Sequence, residues 1–214
     1  FSGGRTLKAI DAICDAEGDL PVEAFEGVSS LLDKNLLRLE EGPNEEPRVV
    51  MLETVHEFAR EKLGQSAEAE EIKRLHAQYF LTLAEEVYPE LKGANQLQWL
   101  ERLEAEHDNM RAALSWALKR KEVEVALRLG GALWLFWSKR GYHSAGRRWL
   151  EGALAIDGKV SPEVRAMALA GVAWLAENQG DLDRAKDACE EGLELLEHEA
   201  REASEAKLFL LTYL

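Results

Sequence analysis

The sequence predicts a mainly α-helical protein in two parts, a small segment of helices with a β-hairpin followed by an α-solenoid of stacked helix pairs. Three observations predict it. Apolar residues recur every three or four positions almost without interruption from Ser66 onward, which lines them along one side of successive helices. Glycine or proline stands between those helices, at Gly141, Gly158, Pro162 and Gly180, where helices stop or start. The first 65 residues lack this regularity and carry two short extended runs instead.

Thr6 to Cys14 reads as a helix with Leu7, Ile10 and Ile13 on one face. Glu17-Gly18-Asp19 reads as a turn, and Pro21 stands where a second helix starts, running through Phe25, Val28 and Leu32. Leu36 to Leu39 and Arg48 to Met51 are extended runs joined by the polar stretch from Glu40 to Pro47, the pattern of a hairpin. A helix from Glu53 to Leu63 follows, with Val55, Phe58, Ala59 and Leu63 expected inward. Two helices, a two-stranded wing and a closing helix make most of a winged-helix unit over residues 1–65. One more helix is expected before Phe1, and both ends are expected to continue, since the chain starts without Met and stops inside a helical pattern at Leu214.

Residues 66–120 read as a helical linker. Ile72, Leu75, Tyr79, Leu83 and Val87 form one apolar stripe that Pro89 and Gly93 end. A short segment with Leu97, Trp99, Leu100 and Leu103 leads to a helix carrying Met110, Ala113, Leu114, Ala117 and Leu118. Residues 121–214 read as helix, turn, helix, repeated, with helices at about 122–139, 143–157, 162–178, 182–198 and 203–214. With Gly141 and Gly180 in register, 39 residues apart, Trp149, Leu150, Ala153 and Leu154 fall on Ala188, Cys189, Gly192 and Leu193. In the second copy Gly180-Asp181-Leu182-Asp183-Arg184-Ala185 closely resembles the turn of a tetratricopeptide repeat. There Gly180 lets the backbone turn and Asp181 caps the next helix. The first copy departs, with Tyr142 after its glycine and Gly146 in place of the alanine. The array is therefore expected to be a tetratricopeptide-like α-solenoid.

Composition narrows the function classes. A formal charge of −14 over 214 residues repels phosphate backbones and anionic lipid. Residues 1–65 hold seven Lys and Arg against fourteen Asp and Glu, too few cations for a DNA-gripping face. Direct nucleic-acid or membrane binding is thus not expected. Cys14 and Cys189 are the only cysteines, which suggests a reducing compartment, the cytoplasm, rather than a disulfide framework. The longest apolar run, Ala132 to Trp137, is six residues, too short to span a bilayer. No nucleophile with a base, no metal-ligand spacing and no Gly-x-x-x-x-Gly-Lys-Ser/Thr loop is present, so no enzymatic activity and no cofactor are expected within these residues. His107 and Asp108 beside Glu104 and Glu106 read as capping and interhelical hydrogen bonding, with a metal or acid–base pair as the alternative. A partner-binding surface for a protein or peptide is expected on the array. Its candidates are Trp134, Trp137 and Trp174, which fill the inter-helix core in the competing reading, and the basic Arg140, Arg147 and Arg148, a solvated face in theirs.

Several stretches resemble the winged-helix and repeat region of bacterial STAND-type signalling ATPases, the group that includes LuxR-type and AfsR/SARP-like transcriptional regulators. They are Phe1-Ser2-Gly3-Gly4, Leu31 to Leu37, Met51 to Ala59, Arg74 to Phe80, Trp99 to Leu114 and Gly146 to Glu151, with Glu106-His107-Asp108-Asn109 the most specific. The resemblance implies a nucleotide-binding domain upstream, holding ATP or ADP, against which the winged helix packs, and an array that senses a partner. It also implies that His56 contacts bound nucleotide, the alternative being a polar surface residue on its helix. The function expected is a regulatory sensor module of a nucleotide-switched protein; the alternative is a passive scaffold.

Overall fold

The computed structural model describes residues 1–15, 22–197 and 204–212. The turn at Glu17-Gly18-Asp19, Pro21, and the ends of the helices expected at 182–198 and 203–214 fall partly or wholly outside those residues. The chain forms two compact units, Phe1–Leu83 with Leu97–Ala113, and Ala84–Gln96 with Leu114–Leu214.

In the first unit helix α1 (Leu7–Cys14) is capped by Thr6, whose hydroxyl accepts from the Ala9 amide at 3.2 Å. Helix α2 (Ala24–Asp33) gives way to strand β1 (Leu37–Glu41) through Asn35, which takes φ +56°. β1 pairs antiparallel with β2 (Pro47–Met51), Leu37 opposite Met51 and Glu41 opposite Pro47. Arg5 extends this small sheet, exchanging two backbone hydrogen bonds with Val49. Leu37 and Val49 meet Ile10 and Val28 in the core, with Leu7, Leu31 and Leu32 packed around them.

Helix α3 (Glu53–Gln65) differs from expectation, because Phe58 points out and is 60% exposed. Val55, Ala59 and Leu63 are the half-buried stripe. At roughly 100° per residue Phe58 lies about 100° from the centre of that stripe, so a helix covered on one side leaves it in water. Helices α4 (Ala69–Val87), α5 (Gln96–Ala105) and α6 (His107–Arg120) follow. In the first unit, α4 encloses Phe80 between the rings of Phe1 and His76.

The second unit contains α7 (Val123–Arg140), α8 (His143–Leu154), α9 (Pro162–Glu177), α10 (Leu182–Leu196) and α11 (Glu205–Leu211). Each helix packs on the next, and the first helices of the pairs also pack on one another, α7 on α9 and α9 on α11. Nearest-neighbour packing of this kind makes a solenoid. The whole is mainly α and matches a partial winged helix followed by a helical solenoid. Gly141 and Gly180 both take φ +77° where the expected turns lie, and Asp181 accepts from the Arg184 amide at 3.3 Å as the cap of α10.

The departure of the first copy has a packing cause. Trp137 is 1% exposed, and a Cβ on Gly146 would sit 2.6 Å from its Cε3. In the 39-residue register the second copy has Ala176 for Trp137 and Ala185 for Gly146. A large residue on the first helix is matched by none on the second, and two alanines fill the same place one repeat later.

Candidate functional site

The first helices of the second unit bring their aromatic residues together. Trp134 of α7 is fully enclosed, its ring 5.6 Å from that of Trp174 on α9 and edge-on at 5.2 Å to Phe209 on α11. Trp174 is half-buried and donates from Nε1 to Ser138 Oγ at 2.7 Å. The stretch between α4 and α5 lies against the same three helices. The Tyr88 ring is 6.4 Å from Trp134. Its hydroxyl donates to Glu205 at 2.8 Å and stands 3.9 Å from Met167 Sδ. Lys92 pairs with Glu205, its ammonium 4.0 Å over the Tyr88 ring and 6.0 Å from that of Phe209, within cation–π range. Farther along, Lys139 donates to Gln96 Oε1 at 2.7 Å. Burial first, and then the Glu205 carboxylate, raise the Tyr88 phenol above its ordinary pKa, so it remains a donor.

Of the residues expected to bind a partner, Trp134 and Trp137 offer no area, since both are sealed into the helix packing. Trp174 is partly open and Arg148 is exposed. Arg140 is half-buried at the end of α7. Arg147 is committed within the array. It donates from Nε to Glu151 at 2.9 Å, from Nη2 to Asp181 at 2.7 Å and from Nη1 to Gln179 at 3.3 Å. It thereby ties α8 to the turn of the next pair, and its hydrogen bond holds the Asp181 carboxyl below the usual range. Sequence reading missed Tyr88, Lys92, Glu205 and Phe209. Tyr88 lies beside the helix-ending Pro89, and no periodicity relates it to a residue 117 positions away.

The first unit holds a buried polar cluster. Arg48 of β2 donates to Glu106 Oε1 at 2.5 Å, to the Ala105 carbonyl at 3.0 Å and to the Gly4 carbonyl. Asn109 donates to Glu106 Oε2 at 2.8 Å and to the Gly4 carbonyl at 3.1 Å, and accepts from the Ser2 amide at 2.8 Å. Glu106, read from sequence as part of a capping and interhelical hydrogen-bonding group, and Asn109 thus hold a strand and the opening segment. His56 on α3 lies half-buried, Nε2 2.8 Å from the Phe1 carbonyl oxygen. Nearby, burial lowers His76 to about 4.

Among the described residues no group of three or more His, Cys, Asp or Glu stands together as a metal site, and no helix is long and apolar enough to cross a membrane. The geometry sets aromatic faces, a carboxylate and ammonium groups along stacked helices. The chain is similar to the proteins provisionally named HTH-type transcriptional regulator Rv0890c of Mycobacterium tuberculosis and HTH-type transcriptional regulator Mb0914c of Mycobacterium bovis. Each is 32% identical over 180 residues, covering 82% of this chain and 20% of the relative. The chain therefore spans about a fifth of the length of the curated relatives it matches. No family model matches it.

Proposed function

We propose that this chain is the winged-helix and tetratricopeptide-like region of a STAND-type, nucleotide-switched transcriptional regulator. In this reading the array binds a protein or peptide, and residues 66–120 couple that event to the winged helix and to an ATP- or ADP-binding domain of the same parent chain, in the cytoplasm. The observation that carries it is the 32% identity over 180 residues to relatives named as HTH-type transcriptional regulators. The acidic balance of residues 1–65 supports a packing role for the winged helix rather than a grip on DNA. Coupling requires that a partner favour one arrangement of the parent protein over another.

The test is ATP turnover by the parent protein with and without an array-binding partner. A change in turnover supports the switch, whereas partner binding with unchanged turnover favours the passive scaffold. His56 is assigned the nucleotide contact. His56→Ala is expected to weaken ADP retention by the parent protein while leaving partner binding intact, and unaltered retention would remove that role.

A further inference from the structure

Residues 88–96 leave the helix-pair pattern. α4 ends at Val87, Pro89 begins a 3-10 turn that runs to Lys92, and α5 starts only at Gln96. This short stretch meets all three first helices of the array: Trp134 and Lys139 of α7, Met167 of α9, Glu205 and Phe209 of α11. Stacked repeats present such surfaces to extended partners. Here the chain's own residues lie on it.

The contacts specify a chemistry. Tyr88 brings a ring to Trp134 and a hydroxyl to Glu205. Lys92 brings an ammonium to the same carboxylate, flanked by the Tyr88 and Phe209 rings. The segment is anchored by Val87 and Leu91, both fully buried. The Lys92–Glu205 pair, by contrast, is 36% and 43% exposed, so water can replace either partner and the pair opens without stranding a buried charge. The anchor is structural and the polar tip is exchangeable.

We propose that Tyr88 and Lys92 are an internal ligand of the array, and that its partner is a peptide segment presenting an aromatic residue and a lysine a few positions apart, which competes with them for Glu205 and the Phe209 ring. The proposal rests on the reading of the array as a partner-binding arm. A site occupied from within binds an external copy more weakly, in proportion to the fraction of molecules in which it is free.

A fluorescein-labelled peptide copying residues 86–97 is titrated with the whole 214-residue chain and followed by anisotropy. Tyr88→Ala with Lys92→Ala is expected to bind it about ten-fold more tightly than the unaltered chain, as for a site about nine-tenths occupied from within, and adding Glu205→Lys is expected to abolish the gain. Equal binding by the folded variant and the unaltered chain, or a gain that survives Glu205→Lys, overturns the proposal. Should circular dichroism show the double variant unfolded, Lys92→Glu alone changes only an exposed side chain. It is expected to tighten binding about three-fold, and Lys92→Glu with Glu205→Lys to return it to the starting value; an unchanged affinity overturns the proposal equally. A partner that leaves ATP turnover unaltered would remove the switch but not this competition, and a missing competition would leave the switch in place.

Discussion

Gly146→Ala should destabilise the second unit although alanine is the better helix former. In a helix interior the replacement alone is worth about 1 kcal/mol in favour of alanine. At this position, however, the new methyl would meet the Trp137 indole at 2.6 and 2.8 Å and its Cβ at 3.0 Å. Trp137 is fully enclosed, so its ring cannot swing into solvent, and overpacking of this kind costs about 1–3 kcal/mol. The net expectation is a loss of about 1 kcal/mol, or roughly 2–4 °C in Tm for a chain of this size. Urea unfolding followed by tryptophan fluorescence measures it. The informative comparison is Gly146→Ala in a Trp137→Leu background, where the ring is gone and the methyl is free to contribute its full gain of about 1 kcal/mol. The two backgrounds should therefore differ by about 2 kcal/mol in a double-mutant cycle. A substitution that stabilises both by the same amount would refute the packing argument.

Other perturbations test other parts of the structure. Glu106→Leu leaves the Arg48 guanidinium buried without its counter-charge and should cost about 3–5 kcal/mol; a loss below about 1 kcal/mol in chemical denaturation would contradict the cluster. His76 gives a pH signature. Its folded value is lowered from 6.5 to about 4, so between those values the unfolded chain binds the extra proton. Its contribution is intact above pH 6.5 and declines as the pH falls to 4, by up to about 3 kcal/mol at about 1.4 kcal/mol per unit. Replacing it with leucine should flatten that stretch of the stability profile, and an unchanged slope would count against burial as the cause. Gly180→Ala meets no neighbour within 4 Å but must hold φ +77°, so a loss of about 1–2 kcal/mol from backbone strain alone is expected in thermal melts.

Helices and turns were legible because their signals are local. Gly141 and Gly180 each mark a left-handed turn, Pro162 follows a capping Ser161, and Asp181 caps α10. The hairpin was legible from the polar stretch between Leu39 and Arg48. Phe58 was misplaced because apolar spacing alone does not say how wide a stripe a neighbouring element will cover. The aromatic cluster was read only in part. Tryptophans mark a core and a surface with the same letter, and burial separates Trp134 and Trp137 from Trp174. Tyr88 and Glu205 could not have been joined by spacing, since tertiary packing alone sets them 2.8 Å apart.

Arg48 and its partners have a bearing on how the molecule could be cut. A piece ending at residue 65 would retain the strand that carries the guanidinium but lose Ala105, Glu106 and Asn109, which hold it. The Gly4 carbonyl would keep one of its two donors and the Ser2 amide would keep none of its side-chain acceptors. The hairpin and the α5–α6 junction are therefore halves of one cooperative body assembled from distant parts of the chain. Neither is expected to mature on its own during synthesis, and the opening segment should remain sensitive to protease until residue 109 has emerged and the clasp can close.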